Sequence, residues 1–309
     1  MTTASVQQPL TATTAANQRR AARKRPRSGP SSLLTLAMLA FLVYFMIPLF
    51  WLVVASTKNA GELFTTFGLW PGHSIDIVDN VRRTFTYNDG VYGRWMLNTL
   101  VYSVVSAGGA ALLAALGGYG FAKYRWRGNN ALFGLVLGSV MVPTTALAIP
   151  TYLLFSKVGI VNTPWAIILP SLVSPFGLYL MRVYAQGAVP DSLLEAARID
   201  GAGELRIFFR VVLRLLAPGL VTVLLFTLVS TWNNYFLPLI MLNDPKLFPI
   251  TVGLAQWQAE SASGGGGSTG EQLPLVLTGS LLSIIPLIAA FLLLQRYWQS
   301  GLATGGVKE

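Results

Sequence analysis

Glu195-Ala196-Ala197-Arg198-Ile199-Asp200-Gly201-Ala202 is the polar stretch of this chain whose residue types and spacing are most unusual for its surroundings. It lies in a polar loop between two long apolar segments. Ala196 and Ala197 are small enough to let another backbone approach closely. The flanking charges of Glu195, Arg198 and Asp200 suit recognition by a water-soluble surface. The chemistry such a stretch can do is docking, without making or breaking bonds. Ser192 and Glu195 have the spacing of a capping box, in which the hydroxyl meets the Glu195 amide and the carboxylate reaches back. Gly201 is then expected to stop the short helix in a left-handed conformation.

Bond-making chemistry finds no support. The chain has no cysteine, so thiolate metal sites and disulfides are excluded, and its one histidine, His73, is expected in an external loop. The run Ser263-Gly264-Gly265-Gly266-Gly267-Ser268 is a flexible spacer by composition. It is not a phosphate loop, because no Lys-Ser/Thr follows the glycines, and no such loop occurs elsewhere. No nucleotide, metal or other cofactor is therefore expected on this chain.

A second group with binding chemistry is Trp232-Asn233-Asn234-Tyr235. Aromatic faces and amide groups suit the binding of a sugar. The same residue types also serve as hydrogen-bonding glue between membrane helices and as interfacial anchors.

The elements that must hold these residues belong in a membrane. Hydrophobic residues make up 53% of the 309 and charged residues 11%, against about 25% charged in soluble domains. Mean hydropathy is +0.56. Apolar runs of roughly 20 residues read as transmembrane helices. Six are predicted, at about 33–55, 97–120, 131–154, 164–185, 218–242 and 273–295, and no charge falls in their apolar centres. Prolines recur within or beside them, at Pro48, Pro143, Pro150, Pro175, Pro238 and Pro286. Residues 1–30 read as a disordered basic cytoplasmic tail, 33–295 as the membrane domain and 296–309 as a cytoplasmic C-terminal tail. The first apolar run is long and uninterrupted through Trp51, so it reads as a retained anchor helix, not a cleaved signal.

Charge sets the expected orientation. Arg19, Arg20, Arg23, Lys24, Arg25, Arg27, Lys123, Arg125, Arg127, Arg182, Arg198, Arg206, Arg210, Arg214, Arg296 and Lys308 share one side in a six-span arrangement. They are sixteen of the 22 basic residues. The positive-inside rule puts that side, and both termini, in the cytoplasm. The net charge of +10 is thereby assigned to orientation and lipid headgroups, with no nucleic-acid partner expected. The outer segment 56–96 carries Phe64, Phe67, Trp70, Phe85, Tyr87 and Tyr92 and is expected to pack as a small cap. In the docking loop a second helix is predicted near Gly203, with Arg206, Arg210 and Arg214 repeating every four residues as one basic stripe.

At the docking loop the chain resembles the inner-membrane permease subunits of binding-protein-dependent ABC importers. Their signature is Glu-Ala-Ala, three residues, Gly, nine residues, Ile-x-Leu-Pro. Glu195, Ala196, Ala197 and Gly201 match it in identity and spacing. Val211 replaces the isoleucine, Leu213 matches, and Arg214 stands at the usual proline, leaving Pro218 to break the helix. Asn162-Thr163-Pro164-Trp165 to Leu180-Met181-Arg182, the Trp232–Tyr235 group, and the tail from Gln295-Arg296-Tyr297-Trp298 to Val307-Lys308 resemble the maltose-type carbohydrate branch. The resemblance covers about residues 33–309, and the glycine run looks like an insertion within it.

That resemblance implies an all-α membrane protein with six transmembrane helices, an importer-permease (MetI-like) core at about 94–295, and a cytoplasmic coupling helix. Glu195, Ala196, Ala197, Asp200, Gly201 and Ala202 would couple to an ATPase. Trp232, Asn233, Asn234 and Tyr235 would line the substrate pathway. Gly301, Gly305, Gly306 and Lys308 would touch the ATPase from the tail. The implied partners are a second related permease, two copies of an ATP-binding subunit carrying ATP and Mg, an extracytoplasmic sugar-binding protein and membrane lipid. The chain itself would be non-catalytic. The alternative is an ion-coupled secondary transporter of small solutes, which would need intramembrane ionisable groups that the apolar centres lack.

Overall fold

The computed structural model describes residues 32–263 and 272–303. The chain falls into two compact units, 1–50 and 51–309. Helix α1, Ser32–Ser56, crosses that boundary and contains Pro48. A short α2, Glu62–Thr65, and an amphipathic α3, Ile77–Thr86, follow. After a 3₁₀ turn at Tyr87–Gly90 comes the long α4, Val91–Lys123. Next are α5 (Asn129–Ser139), α6 (Ala148–Val158), α7 (Trp165–Ser171) and α8 (Pro175–Ala188). The docking loop holds α9 (Asp191–Ile199), α10 (Glu204–Ile207), a π-turn at Phe208–Val212 and α11 (Leu213–Leu215). The chain then runs through α12 (Ala217–Trp232), α13 (Phe236–Met241), α14 (Ile250–Ser263) and α15 (Leu273–Ala303). Among the described residues every regular element is helical.

Four helical segments are long and apolar enough to cross a membrane: Ser32–Ser56, Ile77–Lys123, Trp165–Ala188 and Leu273–Gln295. A fifth arises if Glu204–Leu215 and Ala217–Trp232, bent by 81°, count as one span. The difference from six predicted spans lies at 131–154. That run is two 11-residue helices, α5 and α6, each roughly 16 Å long at 1.5 Å per residue. A bilayer core is about 30 Å thick. The break between them contains Pro143, which has no amide to continue a helical ladder. The run at 218–242 is likewise divided at Asn233–Tyr235, and a break at 172–174 precedes Pro175.

α4 is the central strut, packed most extensively against α8 and α12. Its buried stripe is small: Ser103, Ser106, Ala107, Ala110, Ala111, Ala114, Ala115 and Gly118. Small residues are how membrane helices approach closely when no water is available to drive association. At Gly118 a β-carbon would sit 2.6 Å from the Arg182 amide nitrogen of α8. At the other end of α4, Tyr92 and Trp95 are buried against Trp257, and the Tyr92 hydroxyl donates to the Gly279 carbonyl at 2.8 Å. The expected outer cap is therefore only half formed. Tyr87 and Tyr92 pack inward, whereas Phe64, Phe67 and Trp70 stand exposed.

Candidate functional site: the docking helix and its supports

α9 presents the residues expected to dock on a short, well-terminated helix. Pro190, in an extended conformation, precedes it, and no side-chain cap is made. The expected capping box does not form. The helix starts two residues early, at Asp191, so Ser192 already lies inside it and cannot act as the extended capping residue. Glu195 is exposed instead of turned back to the start of the helix.

The other end follows the expectation from Gly201. Its φ is +76°, the left-handed region that costs an L-residue with a β-carbon roughly 1–2 kcal/mol. The Gly201 amide donates to the Arg198 carbonyl and the Ala202 amide to the Ala197 carbonyl, each at 3.0 Å. This is the paired hydrogen-bond pattern of a Schellman termination. A β-carbon at Gly201 would meet nothing within 4 Å. Backbone torsion alone, and no steric contact, sets the demand for glycine there.

Leu194 is the anchor. It is buried with Ala185, Val189, Ile207, Phe208 and Tyr119, worth about 1.5–3 kcal/mol for such a side chain. The opposite face bears Leu193, Glu195, Ala196, Ile199 and Asp200, all exposed, with Ile199 at 86%. Ala197 and Ala202 pack partly against the inner cluster. The loop therefore buries one leucine and offers a mixed apolar and charged ridge outward.

Two polar ties, absent from the sequence reading, hold the loop to α4. Lys123 donates to Asp191 at 2.7 Å, with the lysine nearly buried and the aspartate largely open. That hydrogen bond is the main reason the Asp191 carboxyl lies below the usual carboxylate range. Beyond the Gly201 turn, Arg198 Nε donates to Glu204 Oε1 at 2.7 Å, and the Tyr124 hydroxyl donates to Glu204 Oε2. The Arg198 bond, followed by the Tyr124 bond, lowers the Glu204 carboxyl. Burial first, then the bond to Glu204, raises the Tyr124 hydroxyl. Exposed ion pairs contribute little stability, so Leu194 carries the packing and the ties set orientation. Lys123 and Tyr124 show no local signal in sequence, because their partners are 68 and 80 residues away.

Arg206, Arg210 and Arg214 are all exposed, as expected of a basic stripe, although the π-turn widens the helix that carries them. The chain turns at Leu216, two residues before Pro218, where the helix break was expected.

The candidate pathway residues are at the far end of α12, roughly 24 Å of helix from the docking loop. Trp232 is buried, Asn233 and Tyr235 are exposed, and Asn234 is half-buried. The Asn233 side-chain amide donates to the Val229 carbonyl at 2.8 Å. The Asn234 carbonyl accepts from the Thr251 hydroxyl at 2.7 Å. Both asparagines thus serve the helix break, while the Tyr235 ring stays open. In the tail, Gly301 is helical within α15, which runs past the 295 boundary. Gly305, Gly306 and Lys308 lie outside the described residues.

Residues 107–303 match the family described as binding-protein-dependent transport system inner membrane component. The arabinooligosaccharides transport system permease protein AraQ of Halalkalibacterium halodurans is 35% identical over 273 residues, covering 88% of this chain and 94% of the relative. The protein of the same name from Bacillus subtilis is 32% identical over 280 residues, covering 89% and 95%. A solved bacterial ABC transporter involved in import of the acidic polysaccharide alginate superposes with a TM-score of 0.73 at 22% identity. The match covers 94% of this chain and 100% of that one. The chain belongs to the binding-protein-dependent transport system inner membrane component family, as a multi-pass permease of an importer of that type.

Proposed function

We propose that this chain is one permease subunit of an ATP-driven carbohydrate importer, and that α9 is the lever through which a separate ATPase moves it. The observation that carries this reading is the construction of α9. One buried leucine and a left-handed glycine stop fix the helix, and an unpartnered ridge of Leu193, Glu195, Ala196, Ile199 and Asp200 faces outward. Such a ridge fits a groove on a soluble subunit, and rigid attachment to α4 and α8 through the inner cluster suits transmission of displacement.

A second related permease would complete the pathway, two ATP-binding subunits would supply ATP and Mg, and an extracytoplasmic binding protein would deliver substrate. Closure of the ATPase pair would rock the spans between outward-open and inward-open states. Both termini would be cytoplasmic, in keeping with the side on which the basic residues gather. The sugar class rests on the relatives, whose names specify arabinooligosaccharides. Trp232, Asn233, Asn234 and Tyr235 are the proposed pathway contacts, of which Tyr235 has the freest face. The tail residues Gly301, Gly305, Gly306 and Lys308 are proposed to lie against the ATPase.

The test is site-directed crosslinking in the reconstituted complex. A cysteine at Ala196, in this otherwise cysteine-free chain, should crosslink to the ATPase subunit. The crosslink should abolish uptake until it is reduced. The permease alone should hydrolyse no ATP. Failure of Ala196→Cys to reach the ATPase, in a complex that still transports, would overturn the lever.

A further inference from the structure

The segment after α1 folds back along the helix it has just left. The Asp76 amide donates to the Thr57 carbonyl at 2.8 Å, and the Asn80 side chain donates to the Ser56 and Lys58 carbonyls at 3.0 Å each. Lys58 is 1% exposed, and its ammonium donates to the Phe67 carbonyl at 2.8 Å. Glu62 accepts from the His73 amide at 2.8 Å. The loop is thereby a built structure and not a loose linker. A β-carbon on Gly68 would sit 3.3 Å from Trp51 Nε1. Trp51 precedes the end of α1 by five residues, roughly 7.5 Å along the axis. The loop therefore reaches back to a level below the end of α1.

The outer surface of the loop is apolar. Phe64, Phe67, Trp70, Ile75 and Val78 are each more than 70% exposed. From Gly61 to Val78 no Asp, Glu, Lys or Arg is exposed, because Glu62 and Asp76 are half-buried and engaged with the loop itself. Water-facing surfaces rarely carry such a patch, which marks a protein or membrane contact, and the exposed charges Asp79, Arg82 and Arg83 begin only beyond Val78. The patch continues the bare apolar face of α1 at Trp51 and Val53. α1 has 25 residues, roughly 38 Å of helix, against a bilayer core of about 30 Å. A helix of that length reaches both interfaces, where aromatic side chains are favoured.

We propose that residues 61–78 form a membrane-interface foot, with Phe64, Phe67 and Trp70 seated among lipid headgroups and upper acyl chains beside α1. The occupant of the patch is the lipid surface. The inference rests only on the chain being a multi-pass membrane protein, and stands whether or not α9 docks an ATPase. It gives the outer segment a role that no reading of the docking loop supplies, fixing the depth of α1 in the bilayer.

The experiment uses the full chain assembled with its partners in phosphatidylcholine liposomes. Single cysteines at Phe64, Phe67 and Trp70 are labelled with an environment-sensitive fluorophore. Thr65→Cys, also exposed, gives the same readout with all three aromatics intact. Ser263→Cys, at the exposed end of α14, is the aqueous control. Labels in the foot should emit to the blue of the control. Lipids brominated on their acyl chains should quench them several-fold more strongly, and aqueous iodide several-fold less. Iodide quenching equal to the control would overturn the proposal. Protection from both quenchers would also overturn it, by showing that a protein partner covers the patch.

Discussion

Gly201→Ala is the perturbation with the most readable consequence. The native φ of +76° penalises a β-carbon by about 1–2 kcal/mol. Nothing lies within 4 Å of the position that carbon would take, so no clash adds to the strain. A penalty of that size lowers the closed-to-open ratio of the α9 stop by a factor of about 5–30. Hydrogen exchange at the Gly201-position and Ala202 amides, which close the stop, should accelerate by that factor. Uptake per ATP hydrolysed should fall with it. Asn tolerates the left-handed region, so Gly201→Asn should lie close to wild type. Gly201→Val should be worse than Ala. Gly201→Asp keeps much of the tolerance but adds charge to the ridge beside Asp200, which separates strain from electrostatics. If Gly201→Val exchanges and transports like wild type, the left-handed stop has no part in coupling. If Asp alone is impaired, charge and not conformation is the cause.

Gly118→Ala should destabilise by about 1–3 kcal/mol through overpacking, since its β-carbon would lie 2.6 Å from backbone of α8. Gly120→Ala, with open space around it, should be neutral or stabilise by about 0.5–1 kcal/mol; thermal unfolding in one detergent compares the two. The depressed Asp191 and Glu204 carboxyls stabilise the loop at pH values above the ordinary carboxylate range near 4. That contribution is lost as pH falls through their lowered pKa values. A spin label at Ala196→Cys should gain mobility below about pH 4, and Lys123→Ala with Tyr124→Phe should show the mobile spectrum already at pH 7. An impermeant thiol reagent added outside should label Ser263→Cys and spare Gly203→Cys; the reverse pattern would invert the topology.

Much of the docking loop was legible in sequence, because its signals are local. The sign of φ at Gly201 follows from glycine ending a short helical turn, and the two hydrogen bonds of the stop follow from that sign. The apolar runs and the orienting arginines are likewise properties of short windows. The capping box was misread because Ser-x-x-Glu spacing does not say where a helix begins. Pro190, extended, starts α9 two residues sooner. The division of 131–154 into α5 and α6 depends on how the chain around Pro143 turns, which hydropathy averages away. Lys123 and Tyr124 became part of the site only through packing. Gly118 lets α4 and α8 meet backbone to backbone, and that approach brings the end of α4 to Asp191 and Glu204. Composition determined that the chain lives in a membrane, and one octapeptide determined what it resembles. Tertiary structure alone decided which helix steadies α9, because that choice depends on contacts between residues 68 and 80 positions apart.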